Sequence, residues 1–257
     1  MNLILVSLPG EELNEFGLQL EANYPVKVVA IEKNLCTDGT CIELFQEVKA
    51  MGLEINMLIN NAGTGNTEFF KNGYYSDYDM QIRLNVLATT LVTHLFIEML
   101  IKNGPSYILN VGSMASFFSL AKKQVYGATK SYINYFSKSL RRELKFDNVS
   151  VSVICPGGMF TNASASNTIK TGDYIARRSG MHPENVAPIA IDGLLKNKQV
   201  IVPGKINSTI VFLNRILPRF IVSFFEIRTM RRLHNPGAPV RKYNQQTIPV
   251  YSDINFK

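Results

Sequence analysis

The sequence predicts an α/β fold in which a doubly wound parallel sheet is followed by a C-terminal helical extension. Short segments rich in Val, Ile and Leu alternate with segments whose apolar residues recur at helical spacing. This alternation favours parallel strands joined by right-handed crossovers, with helices on both faces of the sheet. A ligand site is then expected at the carboxyl ends of the strands.

The predicted elements follow one another in a regular order from the N-terminus. Residues 2–7 form a buried strand, and the helix after it, residues 11–22, places Leu13, Phe16 and Leu20 at helical spacing. Further strands are predicted at residues 26–31, 55–59, 107–111, 149–154 and 199–202, and further helices at residues 40–51, 78–102, 126–146 and 183–196. With 257 residues and 46% hydrophobic composition, the chain can bury a full-sized core.

Three regions are predicted along the chain: a sheet domain at 1–204, an amphipathic helical segment at 205–234 and a polar basic tail at 235–257. The helical segment contains the nearest approach to a membrane span, but Pro218 and two arginines interrupt it, so no transmembrane segment is predicted. The segment either packs over a pocket as a lid or dimer element, or lies in a membrane interface as a peripheral anchor. Pro218 favours packing, because it disfavours one uninterrupted amphipathic helix.

The formal charge of +7 is unevenly distributed. Residues 1–195 hold 16 Lys and Arg against 18 Asp and Glu, whereas residues 196–257 hold 11 against Glu226 and Asp253. A basic region can attract nucleic acid, anionic lipid or acidic ligands. These cations lack the interleaved motif of a nucleic-acid module, so we expect a solvated basic tail and no nucleic-acid partner.

Cysteine and histidine usage favours a reducing compartment. Cys36, Cys41 and Cys155 are odd in number and lack CxxC spacing, and the three histidines are scattered, so neither a disulfide framework nor a metal site is predicted. The apolar run at residues 1–8 is too short for a signal peptide and has no basic region before it. We therefore expect a cytoplasmic protein.

The segment Tyr126-Gly-Ala-Thr-Lys130 places a tyrosine and a lysine one turn apart on the same face of a predicted helix. A phenol has a pKa of about 10, and a neighbouring cation stabilises its phenolate, so such a group can exchange a proton nearer neutral pH. Alone, this spacing is weak, because it arises easily by chance on a partly exposed helix face.

The residues around this pair make the pattern specific. Ser113 lies 13 residues before Tyr126 at the end of a predicted strand, and Asn85 lies 41 residues before it in a long helix. Asn60-Asn-Ala-Gly63 ends an earlier strand, and a Pro156-Gly157-Gly158 turn with Thr161 follows the strand after the tyrosine helix. In this order, the residues resemble the motifs of the short-chain dehydrogenase/reductase family, and the resemblance extends over residues 1–204.

The resemblance implies a Rossmann-like fold and hydride transfer between a nicotinamide cofactor and a carbonyl or secondary alcohol, with no metal. Tyr126 would be the general acid or base, Ser113 would orient and polarise the carbonyl, and Lys130 would lower the pKa of the tyrosine and hold the nicotinamide ribose. Asn85 would anchor a water in the proton relay; as an alternative, it is an ordinary polar helix residue. The family also implies a homodimer or homotetramer built on the two long helices.

The resemblance further implies a set of residues that contact the cofactor. The family places Asn61, Ala62 and Gly63 beside a ribose, although the same residues also suit a turn alone. It places Pro156, Gly157 and Thr161 at the nicotinamide half. Ser7, Asn34 and Leu35 fall where the family binds the adenine half; an Asn side-chain oxygen can accept the hydrogen bond of the adenine amino group.

The chain departs from the family at its start. The family's TGxxxGxG segment, which presents backbone N–H groups to a pyrophosphate, has no counterpart, and three strands precede Asn60 where the family has four. We therefore expect residues 2–7 to be the family's second strand, and the chain to be a truncated or mis-started form of a longer reductase. The short chain is then expected to bind dinucleotide poorly.

The tract that normally selects the cofactor is Ser7-Leu8-Pro9, which has neither the acid typical of NAD enzymes nor the arginine typical of NADP enzymes. Because no carboxylate would repel a 2′-phosphate, the tract weakly favours NADP over NAD. The leading hypothesis is a carbonyl reductase or alcohol dehydrogenase acting on a small molecule. Its pocket is expected to be apolar, bordered by Phe117, Phe118, Met159 and Phe160, or these residues are plain core. The rival hypothesis is a catalytically silent scaffold or fragment.

Overall fold

The computed structural model describes residues 2–10, 12–161, 166–167, 169–170 and 174–233. Within them, strands alternate with helices up to Ile201. The strands are β1 (Leu3–Ser7), β2 (Val28–Glu32), β3 (Met57–Asn60), β4 (Ser106–Val111), β5 (Val149–Ile154) and β6 (Val200–Ile201). The helices are α1 (Leu13–Asn23), α2 (Thr40–Ala50), α3 (Tyr75–Ile82), α4 (Thr89–Lys102), α5 (Gln124–Glu143), α6 (Tyr174–Ser179), α7 (Pro183–Leu195), α8 (Lys205–Ile216) and α9 (Arg219–Leu233).

Every strand pairing in the described part is parallel, which confirms the predicted α/β class. The strands form two separate sheets: β1 pairs with β2, and the other four run in the order β3-β4-β5-β6. Within the described residues, β1 has no partner besides β2, and β3 has none besides β4. The count of three strands before Asn60 is thus observed, and the two sheets each present unpaired edges.

One hydrophobic cluster connects the two sheets. Its buried members come mainly from α2, α4, β4 and β5, with Ile31 from β2, and include Val48, Phe96, Leu100, Ile108 and Val151. Ile4 and Val6 of β1 pack against this same cluster but are only half-buried, as is the whole of β1. The β4–β5 centre is therefore a dry core, whereas β1 and β2 are held to it mainly through packing.

Residues Tyr75–Lys102 form one helical stretch of 28 residues with a mean hydropathy of 1.7 over its most apolar window, which meets the length and composition of a membrane span. The sequence had placed the nearest such run at 206–225 instead. In the structure, Val92, Phe96 and Leu100 of this stretch point into the core beside β4, and 39% of the window is buried. A helix that packs one face on a sheet has this pattern, and the packing explains the apolar composition of residues 75–102.

The C-terminal segment folds as two helices. α8 ends where Leu217 turns to extended backbone at ψ 139°, directly before Pro218, and α9 starts at Arg219. The proline has no backbone N–H and disfavours a helical residue before it, so the break falls where the sequence predicted it. The predicted segment 205–234 is described as far as residue 233, and the predicted basic tail at 235–257 lies outside the described residues.

The contrast between the core and the edge of the larger sheet makes a testable prediction. Ile108→Ala should lower the free energy of unfolding by about 2–5 kcal/mol, because Ile108 is 0% exposed at the centre of the sheet. Ile59→Ala in β3 is the matched control: its side chain is 44% exposed, so the loss should stay near about 1 kcal/mol. Urea unfolding followed by circular dichroism measures both. Equal losses would show that β3 is as well packed as β4.

Candidate active site

Ser113 and Tyr126 meet at the carboxyl end of β4. Ser113 lies two residues after the end of β4, in extended backbone at φ −165°, and its hydroxyl accepts a hydrogen bond from the backbone N–H of Ala115 at 3.1 Å. Tyr126 lies in the first turn of α5, which packs against the 114–117 turn. The Ser113 hydroxyl is hydrogen-bonded to the Tyr126 phenol. The structure thus brings together the predicted serine and tyrosine.

Burial governs the acidity of Tyr126. Desolvation raises the pKa of its phenol above the ordinary value of 10, while the hydrogen bond with Ser113 acts in the opposite direction. At neutral pH the phenol therefore carries its proton. A protonated phenol beside a serine hydroxyl can donate to an acceptor oxygen that enters between them.

Lys130 is buried on the next turn of α5, with 6% of its surface exposed. Its Nζ donates to the Val111 carbonyl oxygen at 2.8 Å, at the end of β4, and lies 5.9 Å from the centre of the Tyr126 ring. Burial lowers the pKa of this amine from 10.5 to about 8. Ser113 is the group that lowers the pKa of Tyr126 against the effect of burial, and the role of Lys130 in lowering it stays a prediction.

Asn85 acts as a clamp on the loop after β3. It lies in a π-helical segment, Arg83–Ala88, between α3 and α4, and is 1% exposed. Its Oδ1 accepts from the Thr64 N–H at 2.9 Å, and its Nδ2 donates to the Thr64 carbonyl at 2.8 Å and to the Thr129 hydroxyl at 2.9 Å. Both amide protons are therefore used by the protein itself, so the observed role is to tie this loop to α5.

Glycine is required at two positions of the clamped loop because the backbone passes close to the catalytic side chains. A Cβ at Gly65 would lie 2.4 Å from the Tyr126 ring, and one at Gly63 would lie 3.2 Å from Lys130 Nζ and 3.1 Å from Asn85 Oδ1. Asn61, Ala62 and Gly63 are themselves exposed. The loop therefore forms an exposed ledge that lies directly against Tyr126 and Lys130.

A buried polar network lies beneath this ledge, and the sequence reasoning missed it. Asn60 Nδ2 donates to Asn110 Oδ1 at 2.7 Å and to the Thr93 hydroxyl at 2.9 Å, and Asn110 Nδ2 donates to the Ser137 hydroxyl at 2.9 Å. The network links β3, β4, α4 and α5. The available signal was Asn110 itself, an amide inside a strand that otherwise reads as continuously apolar.

The turn after β5 faces the serine loop. The Pro156 carbonyl accepts from the Met114 N–H at 2.9 Å, so the two loops are joined directly after Ser113. A Cβ at Gly157 would lie 2.9 Å from Asn207, a buried residue of α8 that sequence reasoning also missed. Thr161 is exposed at the end of this described stretch, and its N–H donates to the Met159 carbonyl at 2.9 Å. Pro156 and Gly157 thus border the site.

The adenine-side residues lie apart from this group, at the carboxyl ends of β1 and β2. The Ser7 carbonyl accepts from the Lys33 N–H, and the Ser7 hydroxyl donates to the Leu8 carbonyl at 3.1 Å. Asn34 Oδ1 already accepts from the Cys36 N–H at 3.0 Å, and Leu35 packs against the core cluster. These residues form a turn and a packing contact, and the described contacts do not join them to Ser113 or Tyr126.

Lys123 is a further cation at the site that the sequence analysis did not single out. Its Nζ lies 5.1 Å from the centre of the Tyr126 ring, on the residue before α5, and burial lowers its pKa. Lys122 beside it lies over the Phe69 ring at 4.5 Å. The approach to Tyr126 is therefore bordered by cation–aromatic contacts as well as by apolar side chains.

These residues fit one half of a nicotinamide dinucleotide. The ledge at Gly63 and Gly65 lies directly against the Tyr126 phenol and the buried Lys130 amine, two groups that can donate to ribose hydroxyls. The side of the adenine ribose has no comparable set among the described residues: the turn after β1, the family's second strand by our strand count, is Leu8-Pro9-Gly10, and the Gly10 N–H donates to the Glu32 carboxylate at 3.2 Å.

Comparison with known proteins agrees with this geometry. The short chain dehydrogenase family model matches residues 1–171. The chain therefore belongs to the short-chain dehydrogenase family of oxidoreductases.

Two relatives and one solved structure illustrate the similarity. The chain is 28% identical over 163 residues to the 3-oxoacyl-[acyl-carrier-protein] reductase FabG of Aquifex aeolicus, covering 63% of this chain and 66% of the relative. It is 26% identical to the very-long-chain 3-oxoacyl-CoA reductase-B of Danio rerio over 168 residues, 63% of this chain and 53% of that protein. The chain thus spans between half and two thirds of these relatives.

A short-chain dehydrogenase from Sphingobium yanoikuyae, solved in complex with NADPH, superposes with a TM-score of 0.71 at 19% identity, covering 94% of this chain and 90% of that one. This similarity shows the fold, and it confirms the Rossmann-like architecture that the resemblance implied.

The lowered pKa of Lys130 predicts a pH dependence of stability. Between pH 8 and 10.5, the unfolded chain holds a proton on this amine that the folded chain has released, so the free energy of unfolding should rise with pH in this window. Lys130→Met removes the group and should flatten this rise. Urea titrations of both proteins from pH 8 upward measure it.

The control for this measurement is Lys145→Met, because Lys145 is exposed and its loss should leave the profile parallel to that of the original chain. Cys155 also titrates in the alkaline range, and the charge of Lys130 lowers its pKa, so all three proteins are compared in a Cys155→Ala background. A Lys130→Met profile that still rises like the original would remove Lys130 as the cause.

Proposed function

We propose that the protein is a nicotinamide-dependent carbonyl reductase or alcohol dehydrogenase with NADP as its preferred cofactor and NAD as the alternative. The observation that carries the proposal is the Ser113–Tyr126 hydrogen bond beside the buried Lys130 amine, at the carboxyl ends of parallel strands. Serine and tyrosine hydroxyls placed together suit an oxygen that changes between carbonyl and alcohol. Family membership supports the same reaction class.

In the reduction direction, the cofactor supplies a hydride to the carbonyl carbon. Tyr126 Oη donates its proton to the carbonyl oxygen, a role that suits a phenol whose raised pKa keeps it protonated at neutral pH. The Ser113 hydroxyl holds the same oxygen in place. Lys130, anchored on Val111, would hold the nicotinamide ribose, and the Asn85 clamp keeps the Gly63–Gly65 ledge beside Tyr126.

The substrate is proposed to be a small-molecule carbonyl or alcohol with an apolar body. Phe118 and Phe160 are half-buried near the serine loop and the turn after β5, and Phe160 stacks on His182 with 4.7 Å between ring centres. Phe117 and Met159 instead pack against core clusters, so they serve the core more than a pocket. Lys123 offers a cation for an acidic group at the far end of such a substrate.

A second candidate, a catalytically silent scaffold, is favoured by two observations: among the described residues, β1 and β3 each have a single partner strand, and the Gly10 N–H in the turn after β1 donates to the Glu32 carboxylate. In this alternative, the Ser113–Tyr126 pair persists without a complete dinucleotide site. The two candidates make opposite predictions for cofactor binding. For the enzyme, we further propose a cytoplasmic homodimer or homotetramer.

Isothermal titration with NADPH and NADH separates the candidates. The 257-residue chain is expected to bind either dinucleotide more weakly than a version given an additional N-terminal strand and TGxxxGxG turn, because that turn supplies backbone N–H groups to the pyrophosphate. The control extension carries Val in place of the turn glycines. Tight binding by the 257-residue chain would show that other residues build the phosphate site, and no binding by the extended chain would favour the scaffold.

Tyr126→Phe tests the proton donor in whichever form binds cofactor. Loss of the phenolic hydroxyl should lower kcat by about 10²–10⁴-fold with a ketone substrate, because the general acid is removed while the ring keeps its packing. Tyr135→Phe on the same helix, whose ring is 76% exposed, is the matched control and should keep full activity. Undiminished turnover in Tyr126→Phe would exclude the proposed donor.

A further inference from the structure

The two C-terminal helices carry an exposed surface that the proposed reaction does not use. Both helices are held against the loop after Ser113. In α8, Asn214 Nδ2 donates to the Phe117 carbonyl at 2.9 Å, and in α9, the Glu226 carboxylate accepts from the Ser119 N–H at 3.1 Å. Among the side chains that the structure describes, Asn207 of α8 and Val222 of α9 are buried in this packing. The exposed side chains of the two helices lie on other faces.

The outward face of each helix is apolar. In α9, Phe220, Phe224 and Ile227 recur at positions i, i+4 and i+7, which places them on one stripe, and they are 74%, 60% and 53% exposed. In α8, Ile206, Leu213 and Ile216 form a second stripe, with Phe212 at its side. Such contiguous exposed apolar stripes, rather than scattered single residues, mark an interaction surface.

Exposed cations border the same apolar stripes, and their charge indicates which kind of partner the surface can bind. Arg231 lies one further turn along the Phe220 stripe and Arg228 lies beside it, and both are exposed. Arg215 and Lys205 are the exposed cations of α8. Residues 205–233 hold six Lys and Arg against one acid, Glu226, and Glu226 is turned inward to Ser119. The outward surface is therefore apolar and positively charged.

We propose that α8 and α9 form a membrane-docking surface, which binds in the plane of a bilayer whose headgroups are anionic. Exposed Phe, Ile and Leu side chains enter the boundary of the acyl chains, while Arg228, Arg231 and Arg215 stay at the depth of the headgroup phosphates. The sequence favoured packing over the fold for this segment. Among the described residues, packing onto the fold uses one side of each helix, and the apolar side chains on the other side are exposed. The proposal does not depend on the reductase activity.

Vesicle flotation of the full 257-residue chain tests this proposal. The protein should float with vesicles of phosphatidylcholine containing roughly one-third phosphatidylserine, bind much less to pure phosphatidylcholine, and be released by high salt, because the charge term is screened. Arg228→Glu with Arg231→Glu should lower partitioning on the order of tenfold or more, and Phe212→Ser with Phe220→Ser should lower it at every salt concentration.

Matched controls come from the far end of α5 and the turn after it. Phe146→Ser changes a phenylalanine that is 89% exposed, and Arg142→Glu with Lys145→Glu reverses two exposed cations; both should float like the original chain. Circular dichroism confirms that each variant is folded. No flotation, or equal losses in the controls, would overturn the proposal. Self-association that the Phe212→Ser, Phe220→Ser variant abolishes, without vesicle binding, would assign the surface to a second copy of the chain instead.

Discussion

The site depends on one contact, the hydrogen bond from the buried Lys130 amine to the Val111 carbonyl at the end of β4. It fastens α5 to the strand that carries Ser113, so the serine and the tyrosine share one rigid frame. Burying an amine without a carboxylate partner is costly, and the lowered pKa measures that cost. The buried amine lies where the Gly63–Gly65 ledge, the Tyr126 ring and the Asn85 clamp meet. A perturbed pKa in such a place is typical of a functional site.

The fold was predictable from local patterns because parallel strands buried on both faces read as apolar runs. β5 has the predicted bounds, residues 149–154, and the helix break at Pro218 was expected from the ring's geometry. The order of Ser113, Tyr126 and Lys130 predicted their meeting. The contacts that could not be predicted depend on which residues meet in three dimensions. Asn85 hydrogen-bonds to the Thr64 backbone, and Lys130 donates to the Val111 carbonyl. Asn207 packs against Gly157.

The division of the strands into two sheets is the feature that most separates this chain from a standard doubly wound fold. Within the described residues, β4 and β5 have partners on both sides and dry side chains, whereas β1 and β3 have one partner each. The residues of β1 are half-buried, and β1 joins the core through hydrophobic packing rather than through a ladder of hydrogen bonds to the larger sheet. Ser113, Tyr126 and Lys130 are therefore positioned by the more deeply buried strands.

The Asn60–Asn110–Ser137 network also bears on the register of the β3–β4 pair. Asn60 and Asn110 are register partners in the β3–β4 pair, and their amides bond across it. Side chains alternate between the two faces of a strand, so a slip by one residue would move Asn110 to the opposite face and leave buried amides without partners. An apolar pair at these positions would tolerate such a slip, whereas the amides penalise it. The polar network thus favours one register of the β3–β4 pair over other registers that would bury the same apolar surface.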